Sequence, residues 1–512
     1  MPLLPTRILD AESWPMVKLR EPEKKRAQYI ALSHSWGGQH PIATTTSTLL
    51  EYKKGGININ TLPKTYQDAI GITRRLGHRY IWIDSLCIIQ DSKSDWEHEA
   101  ARMAEVYQNA WLTISATRSS SPTSGCYNST EKQMVELRGV IRNSPFILYA
   151  RRAMEHVPSD WGVDPKHAPT RRFPLPLLTR GWAFQERLLS ARVLHFGPQE
   201  LFWECRERVT CECKGIKEWD REANIVTYQG APPKITQNRF VNSAAKRDQM
   251  HARWRSLVEE YSRRRLTVGT DRLPAFAGLA TEMQGYLGQR YVAGLWEDSF
   301  VADLCWHRGE IKSGRGRVRR RGGASWPGIP SWSWAAVDCE IDYDSDLLQP
   351  DHKKVKAPTI SRCEILEIQW TPTGSDAYMI LEACVIPGRL CIYGRDHTHG
   401  DKYELLDDAI KANYTPATDS QPAIFVRIQG STQTLSLDFP LYSEGEWYIE
   451  EGEEVFCAKI AVHGEKDDGG EIVWLILKCL DAEAQVYERI GIIASSMANW
   501  DCTDSKKRIK VV

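Results

Sequence analysis

Apolar and polar positions follow two different periods in the first 200 residues. Continuous apolar runs predict buried strands at "YIALS" (29–33), "YIWID" (80–84) and "WLTISAT" (111–117). Between them, residues 62–77 and 94–110 place apolar side chains on one face at the 3.6-residue helical period. The order strand, helix, strand, helix, strand predicts an α/β layer with a parallel sheet.

Further along the chain the pattern changes twice. A Ser/Pro-rich stretch interrupts the α/β pattern, which resumes with a helix, "RGWAFQERLLS", and a strand, "ARVLHF". Helical periodicity follows, and later apolar runs alternate with turn residues as in a β-rich domain. We therefore predict three regions: 1–205, with core motifs at 27–118 and 179–205 around a variable insertion of about 119–178; a mostly helical 206–340 with a basic loop at 312–323; and a β-rich C-terminal domain at 355–512.

Charge and composition narrow the classes of partner and compartment. The charges of the 66 basic and 66 acidic residues cancel, which argues against nucleic acid or an anionic membrane as the main partner. The N-terminus lacks the pattern of a signal peptide, and "IVWLIL" is too short to span a bilayer. The thirteen cysteines show no disulfide framework spacing. We expect a cytoplasmic protein with reduced thiols.

One carboxylate lies on the apolar face of the predicted helix 94–110. At 100° per residue, Glu99 falls inside the stripe that contains Met103 and Val106. A buried carboxylate is costly unless it is paired, and functional sites concentrate such groups. Glu99 is therefore a candidate catalytic residue, with a buried structural ion pair as the alternative. Ser94 and Glu97 match a capping box at the helix start.

Polar residues also follow the first two predicted strands. Ser33, His34 and Trp36 follow one, and Asp84 and Cys87 follow the other. The carboxyl ends of parallel strands form the usual ligand crevice, so these five residues are candidates for binding a nucleotide or a glycosidic bond. A nucleophile pair of Ser33 and His34 is disfavoured, because adjacent strand residues face opposite sides. The structural alternatives are a loop-capping Asp84 and a Cys87 that acts as a small buried apolar residue.

The helix "RGWAFQERLLS" repeats this pattern of polar residues on a core face. Gln185 and Glu186 share a face with Trp182 and Leu189, and Arg180 lies just upstream. These three polar residues form either an internal hydrogen-bonded network or a further part of the binding site.

The sequence does not predict a metal site. Cys205, Cys211 and Cys213 follow His195, but the spacing C-x5-C-x-C lacks the C-x2-C of zinc knuckles. The two histidines of "DHTHGD" (396–401) are typical of an exposed turn. Walker-type, G-x-S-x-G and G-x-G-x-x-G motifs are absent from the sequence.

Three blocks of this sequence resemble a known family. "YIALSHSWGG", the stretch from "LPKTYQDAIG" to "NAWLTISA", and "RGWAFQERLLSARVLHF" closely resemble the fungal heterokaryon incompatibility (HET) domain over about residues 27–205. The resemblance implies a fungal protein of non-self recognition and programmed cell death. HET domains have been likened to TIR domains, which have a flavodoxin-like α/β fold. Some TIR domains cleave NAD through a helical glutamate, which would correspond to Glu99.

Two hypotheses follow from the residues and the resemblance. In the first, the domain cleaves NAD or a related nucleotide, which is its substrate and not a cofactor. Glu99 would then stabilise the ribose, Trp36 would stack on a ring, and Ser33, His34 and Asp84 would position phosphate or ribose. In the second, the domain is a non-enzymatic module that self-associates or binds other incompatibility proteins, and the same residues form a structural network.

Overall fold

A computed structural model describes most of the chain, in two compact units. Unit 1 comprises Met1–Val241 and Arg264–Glu282, and unit 2 comprises Asn242–Arg263 and Met283–Val512. The described residues are 1–37, 42–128, 134–142, 144–151, 175–207, 209–213, 244–309, 328–343, 360–371, 377–393, 423–428, 431–437, 452–463, 471–495 and 506–512.

Unit 1 is built on a nine-stranded mixed sheet. Its strands are β1 (Ile8–Asp10), β2 (Met16–Arg20), β3 (Tyr29–Ser33), β4 (Ile57–Asn58), β5 (Tyr80–Trp82), β6 (Leu112–Ser115), the separate hairpin β7 (Met134–Ile141) and β8 (Ser144–Arg151), then β9 (Arg192–Phe196), β10 (Leu201–Cys205) and β11 (Val209–Cys211). The strand order in the sheet is β11-β10-β9-β6-β3-β5-β1-β2-β4. The prediction of an α/β architecture is confirmed, although the sheet is mixed.

The helices of unit 1 alternate with the central strands. They are α1 (Leu49–Lys54), α2 (Lys64–Arg75), the short α3 (Asp84–Cys87), α4 (Lys93–Asn109) and α5 (Gly181–Leu189), with 3-10 turns at Ile59–Thr61 and Pro176–Thr179. Helices α2, α4 and α5 lie where the 3.6-residue period predicts them. The predicted capping box is wrong. The N-cap of α4 is Ser92, whose hydroxyl accepts from the Asp95 amide, and Ser94 lies one position inside the helix.

Only the middle of the sheet is parallel. Strand β3 pairs in parallel with β5 and β6, and β6 pairs in parallel with β9. The strands on both sides, β1, β2, β4, β10 and β11, pair antiparallel. The expectation of a purely parallel sheet is therefore wrong at its two sides, where short strands and tight hairpins replace helical crossovers.

The parallel strands lie in a switched order. Numbered along the chain, β3, β5, β6 and β9 take the spatial order 2-1-3-4. The connection through α2 leads to one side of β3, and the connection through α4 leads to the other side. Ligands of doubly wound sheets bind at the carboxyl ends of the two strands where the order switches, which here are β3 and β6.

Unit 2 combines helices with a second, larger set of strands. Helices α6 (Ala244–Ser262), α7 (Pro274–Leu287, which begins in unit 1) and α8 (Phe300–Asp303) are accompanied by 3-10 turns at Glu297–Ser299 and Trp334–Ala336, and a further 3-10 turn at Gly269–Arg272 belongs to unit 1. Its strands are β12 (Tyr291–Val292), β13 (Leu295–Trp296), β14 (His307–Arg308), β15 (Ile341–Asp342), β16 (Ile360–Ser361), β17 (Glu364–Gln369), β18 (Tyr378–Tyr393), β19 (Ala423–Ile428), β20 (Ser431–Thr434), β21 (Ser436–Leu437), β22 (Glu454–His463), β23 (Glu471–Asp481), β24 (Val486–Ser495) and β25 (Lys506–Val511).

The strands of unit 2 form a closed circuit of pairs. Strand β18 pairs with both β22 and β25, and β22, β23, β24 and β25 pair in sequence, so five strands return to their start. A buried apolar cluster that includes Leu390, Val455, Trp474 and Ile490 fills the core. The prediction of a β-rich C-terminal region is confirmed.

Further expectations from the sequence concern the cysteines, membrane-spanning helices, a basic loop and a pair of histidines. Cys384 on β18 is disulfide-bonded, so the expectation of reduced thiols is wrong there; a disulfide depends on spatial proximity, which the spacing along a chain does not reveal. Ten other cysteines with described side chains are thiols. Within the described residues, no helix is long and apolar enough to cross a membrane. The basic loop 312–323 and the histidines of 396–401 lie outside the described residues.

Candidate active site at the carboxyl edge of the sheet

Nine side chains meet near the carboxyl ends of the central strands. Ser33 ends β3, Asp84 begins α3 just after β5, and Glu186 lies on α5, which packs beside α4. We call these nine residues the sheet-edge cluster: Ser33, His34, Trp36, Tyr66, Asp84, Ser85, Tyr107, Arg180 and Glu186.

The buried carboxyl of Glu186 is held by two hydroxyls. The Ser33 hydroxyl donates to Glu186 Oε2 at 2.5 Å. The Tyr107 hydroxyl donates to the Leu32 carbonyl at 3.1 Å and also lies within hydrogen-bonding reach of Glu186. Burial, reinforced by the charge of Asp84, raises the pKa of Glu186 to about 7, and the Ser33 hydrogen bond opposes part of this rise. Glu186 can therefore gain or lose a proton near neutral pH.

The imidazole of His34 is buried between a tyrosine and an aspartate. Its Nε2 shares a hydrogen bond of 2.8 Å with the Tyr66 hydroxyl, and its Nδ1 lies 3.6 Å from Asp84 Oδ1. Burial lowers the pKa of His34 although Asp84 opposes this effect, so the ring is neutral at pH 7. Within the described residues, Nδ1 has no hydrogen-bond partner, which leaves it able to accept from or donate to a ligand.

Asp84 connects the two strand ends. The Trp36 indole donates to Asp84 Oδ2 at 2.9 Å, and the Ser85 amide donates to Asp84 Oδ1 at 2.7 Å. The Ser85 hydroxyl in turn shares a hydrogen bond of 2.9 Å with Tyr66. Asp84 is only partly buried, with 17% of its side chain exposed, so it is accessible where Glu186 is enclosed.

Arg180 and a glycine shape the loop after β3. Arg180 Nη1 donates to the His34 carbonyl at 2.7 Å, which places a half-buried guanidinium over the loop. Gly37 has a φ of +70°, and a Cβ there would lie 2.6 Å from Ser121 Cβ. Only glycine meets both conditions without strain, so the polar sequence after β3 turns sharply at this point.

Glu99 lies in a different network. It is 1% exposed, as its place in the apolar stripe predicts, and Arg7 Nη2 lies 3.6 Å from Glu99 Oε1. Arg7 also donates to the Cys87 carbonyl at 2.7 Å and pairs with Asp95 at 2.5 Å. Among the described residues, no hydrogen bond or ion pair joins Glu99 to the sheet-edge cluster. Its catalytic role stays a prediction.

Two other predicted site residues lie deeper in the core. Burial raises the pKa of the Cys87 thiol to about 12, which makes that thiol unreactive. Gln185 Oε1 accepts a hydrogen bond of 2.7 Å from the Gly278 amide at the start of α7. Gln185 thus joins α5 to the segment 264–282 of unit 1, whereas its neighbour Glu186 faces the sheet-edge cluster.

Sequence reasoning missed four residues of these two networks. Tyr66 and Tyr107 lie on the buried faces of α2 and α4, where helical periodicity does not distinguish them from apolar residues, although a buried tyrosine normally needs a partner for its hydroxyl. The sequence around Ser85 and Arg7 contains no motif or periodicity that indicates a role in either network. The Tyr107 hydroxyl could be predicted as a site group, because Tyr107 lies on the face of α4 that also carries the candidate Glu99.

His195, the histidine considered as a zinc ligand, is held in a different network. His195 Nε2 lies 2.9 Å from Glu204 Oε2, and its Nδ1 shares a hydrogen bond of 3.0 Å with Thr117. Arg187 also donates to Glu204, so this histidine belongs to a buried charge network between α5 and the sheet.

The fold and the site define a doubly covered α/β domain with a buried acid–base cluster at the carboxyl edge of its parallel strands. Residues 29–186 match the family model described as Heterokaryon incompatibility protein (HET), and the chain therefore contains a HET domain. This domain suggests a role in heterokaryon incompatibility. Neither a curated protein nor a solved structure matches the chain.

Proposed function

We propose that this chain is a heterokaryon incompatibility effector that promotes programmed cell death, and that its sheet-edge cluster hydrolyses the glycosidic bond of NAD or a related nucleotide. The observation that supports this most is Glu186, a carboxyl with a pKa of about 7 inside a water-poor cluster that also holds Asp84 and Arg180. Pairs of carboxyl groups in different environments are the usual acid–base machinery of glycoside hydrolysis.

Each step of the reaction has a residue suited to it. Ionised Glu186 takes a proton from water, and the water oxygen bonds to the ribose carbon as the carbon–nitrogen bond breaks. The bonding pair returns to the nicotinamide nitrogen, which becomes neutral, so this leaving group needs no acid. Asp84 stabilises the positive charge that develops on the ribose.

The remaining cluster residues suit the binding of a nucleotide. The Arg180 guanidinium uses one N–H group on the His34 carbonyl, and its other N–H groups suit a phosphate oxygen. Half-buried Trp36 offers an aromatic face. The strand order 2-1-3-4 supports a flavodoxin-like assignment of the sheet, and Ser33 lies at the carboxyl end of β3, one of the two strands where the order switches.

In this proposal Glu99 has a structural role and takes no part in the reaction. Arg7 compensates its charge and also holds Asp95 and the Cys87 carbonyl, so Glu99 joins the chain start to α4. The catalytic role predicted for Glu99 from the TIR resemblance competes directly with the role proposed for Glu186. Substituting Glu99 and Glu186 one at a time distinguishes between these two roles.

The test is nicotinamide release from NAD by the purified full chain, assayed both dilute and crowded or oligomerised. We expect Glu186→Gln to lower the rate about 100-fold or more, because it removes the general base. Glu97→Gln, on the exposed side of α4, is the matched control and should not change the rate. Glu99→Gln should retain activity in proportion to the folded fraction, measured by circular dichroism.

Two results would contradict the proposal. If no assembly state releases nicotinamide from NAD or the corresponding base from related nucleotides, the enzymatic function is wrong. If Glu186→Gln is fully active and folded Glu99→Gln is inactive, the reaction is supported but its base is Glu99.

A second function, a non-enzymatic signalling module, is favoured by one observation. Ser33, Trp36 and the Nε2 of His34 each have a partner inside the cluster, as a purely structural network would. In that case a folded Glu186→Gln variant should still cause cell death when overexpressed in a fungus and should still self-associate. Loss of killing together with loss of nucleotide cleavage would instead favour the enzyme.

A further inference from the structure

Two cysteines and a glutamate converge at one side of the sheet of unit 1. The ligand atoms of Glu200, Cys211 and Cys213 all lie within 4.8 Å of one another, and the two sulfurs are 3.5 Å apart. Glu200 and Cys211 are buried, and Cys213 is half-buried. We propose that these three side chains bind a zinc ion, at a site separate from the sheet-edge cluster.

The hairpin of β10 and β11 places the three side chains together. Phe202 pairs with Cys211 in the antiparallel register, and the Glu212 amide donates to the Leu201 carbonyl at 3.0 Å. Extending this register by two residues puts Glu200 opposite Cys213. Side chains two apart on a strand share a face, so Glu200, Cys211 and Cys213 all face the same side of the hairpin.

The spacing of the sulfurs suits a shared metal ion. Two thiolates at zinc–sulfur bonds of about 2.3 Å in tetrahedral geometry lie about 3.8 Å apart, whereas a disulfide holds its sulfurs at about 2.05 Å. The observed 3.5 Å is close to the first arrangement. A carboxylate oxygen makes the third ligand, so the described residues supply three of the four ligands of a tetrahedral ion. Binding releases the two thiol protons to solvent.

The surroundings also suit a metal site. Glu200 Oε2 accepts a hydrogen bond of 3.0 Å from the Cys213 amide, which orients the carboxylate toward the sulfurs. Phe202 and Val209 pack against Cys211 in a small apolar cluster, which limits access of water. These three ligands differ from the residues that the sequence analysis considered and set aside, because His195 bonds Glu204 and Cys205 lies on the opposite face of β10.

The test measures zinc bound by the full chain. Protein is stripped of metal with a chelator under argon, incubated with zinc alone, desalted and analysed by mass spectrometry for metal. We expect about one zinc per chain in the wild type and in Cys205→Ser, the matched control. The double variant Cys211→Ser/Cys213→Ser should lose at least about nine-tenths of it, and Glu200→Gln should bind at least about ten-fold more weakly.

Cobalt in place of zinc gives a second readout. Tetrahedral Co²⁺ bound by the wild type should show thiolate-to-metal charge transfer in the near ultraviolet, and this band should be absent in the double variant. If the double variant does not fold, the zinc affinity of the folded Glu200→Gln variant tests the proposal instead. Equal zinc content in the wild type and the folded variants, or no zinc uptake by the wild type, would overturn the proposal.

Discussion

At the scale of single residues, the buried glutamates Glu99, Glu186 and Glu204 of unit 1 are stabilised in two different ways. Arg7 pairs with Glu99, Arg187 pairs with Glu204, and Glu186 is held by hydroxyls and has a raised pKa. A helical wheel identifies Glu99 and Glu186 as carboxylates on apolar faces, but it cannot identify what compensates their charge. The compensating groups come from distant parts of the chain. The raised pKa of about 7 lets Glu186 change its protonation state near neutral pH.

The raised pKa of Glu186 predicts a pH-dependent stability. Below its ordinary value of 4.5 the carboxyl is protonated in both the folded and the unfolded chain. Between 4.5 and about 7 only the folded chain keeps the proton, so the stabilising contribution falls as the pH rises through this window. Glu186→Gln should lack this term, so the free energy of unfolding of the wild type minus that of the variant should fall by about 3 kcal/mol.

Urea unfolding of both proteins at several pH values measures this difference. The control Glu97→Gln changes an exposed carboxylate on α4 and should follow the wild type at every pH. Parallel curves for the wild type and Glu186→Gln would show that Glu186 titrates normally in the folded chain.

At the scale of elements, the central strands and helices are predictable and the peripheral ones are not. Strands β3, β5 and β6 are continuous apolar runs, and α2, α4 and α5 have clear 3.6-residue stripes. Strands β1, β2 and β4 are about as short as the central strands, but their sequences, ILD, MVKLR and IN, lack a continuous apolar run of the kind that marks β3, β5 and β6. The sequence likewise predicts only part of the candidate site. The residues at the ends of β3 and β5 could be brought together by topology, whereas the partners of Glu99 and Gln185 could not.

The start of α4 contains two serines, Ser92 and Ser94, that could each be the N-cap of the helix. Ser94 and Glu97 fit the capping-box spacing, but the Ser92 hydroxyl accepts the Asp95 amide and is the N-cap. Ser92→Ala should therefore destabilise unit 1 by about 1 kcal/mol, because a helix amide loses its partner. Ser94→Ala, inside the exposed first turn, should change the free energy of unfolding by less than about 0.5 kcal/mol. Chemical denaturation of both variants measures the contrast, and equal losses would contradict the assignment of the cap.

At the scale of the molecule, the HET match is shorter than the folded unit that contains it. The match covers 29–186 and ends inside α5, yet the sheet continues through β9, β10 and β11. On the other side, β1 pairs with β5, and Arg7 precedes the match as the partner of Glu99. The segment 264–282 supplies Arg265, whose carbonyl accepts from the Gly181 amide at 2.8 Å. The limits of sequence similarity are therefore not the limits of folding.

A fragment cut at the match should consequently fail to fold. Residues 29–186 leave β5 and β6 as open sheet edges, and they leave Glu99 buried without Arg7, at an expected cost of about 3 kcal/mol or more. Residues 1–282 contain the whole of unit 1 and serve as the matched comparison. We expect a cooperative thermal transition and dispersed amide resonances from 1–282, and aggregation or no transition from 29–186. A cooperative transition of 29–186 at the temperature of 1–282 would show that the flanking strands and the segment 264–282 are dispensable.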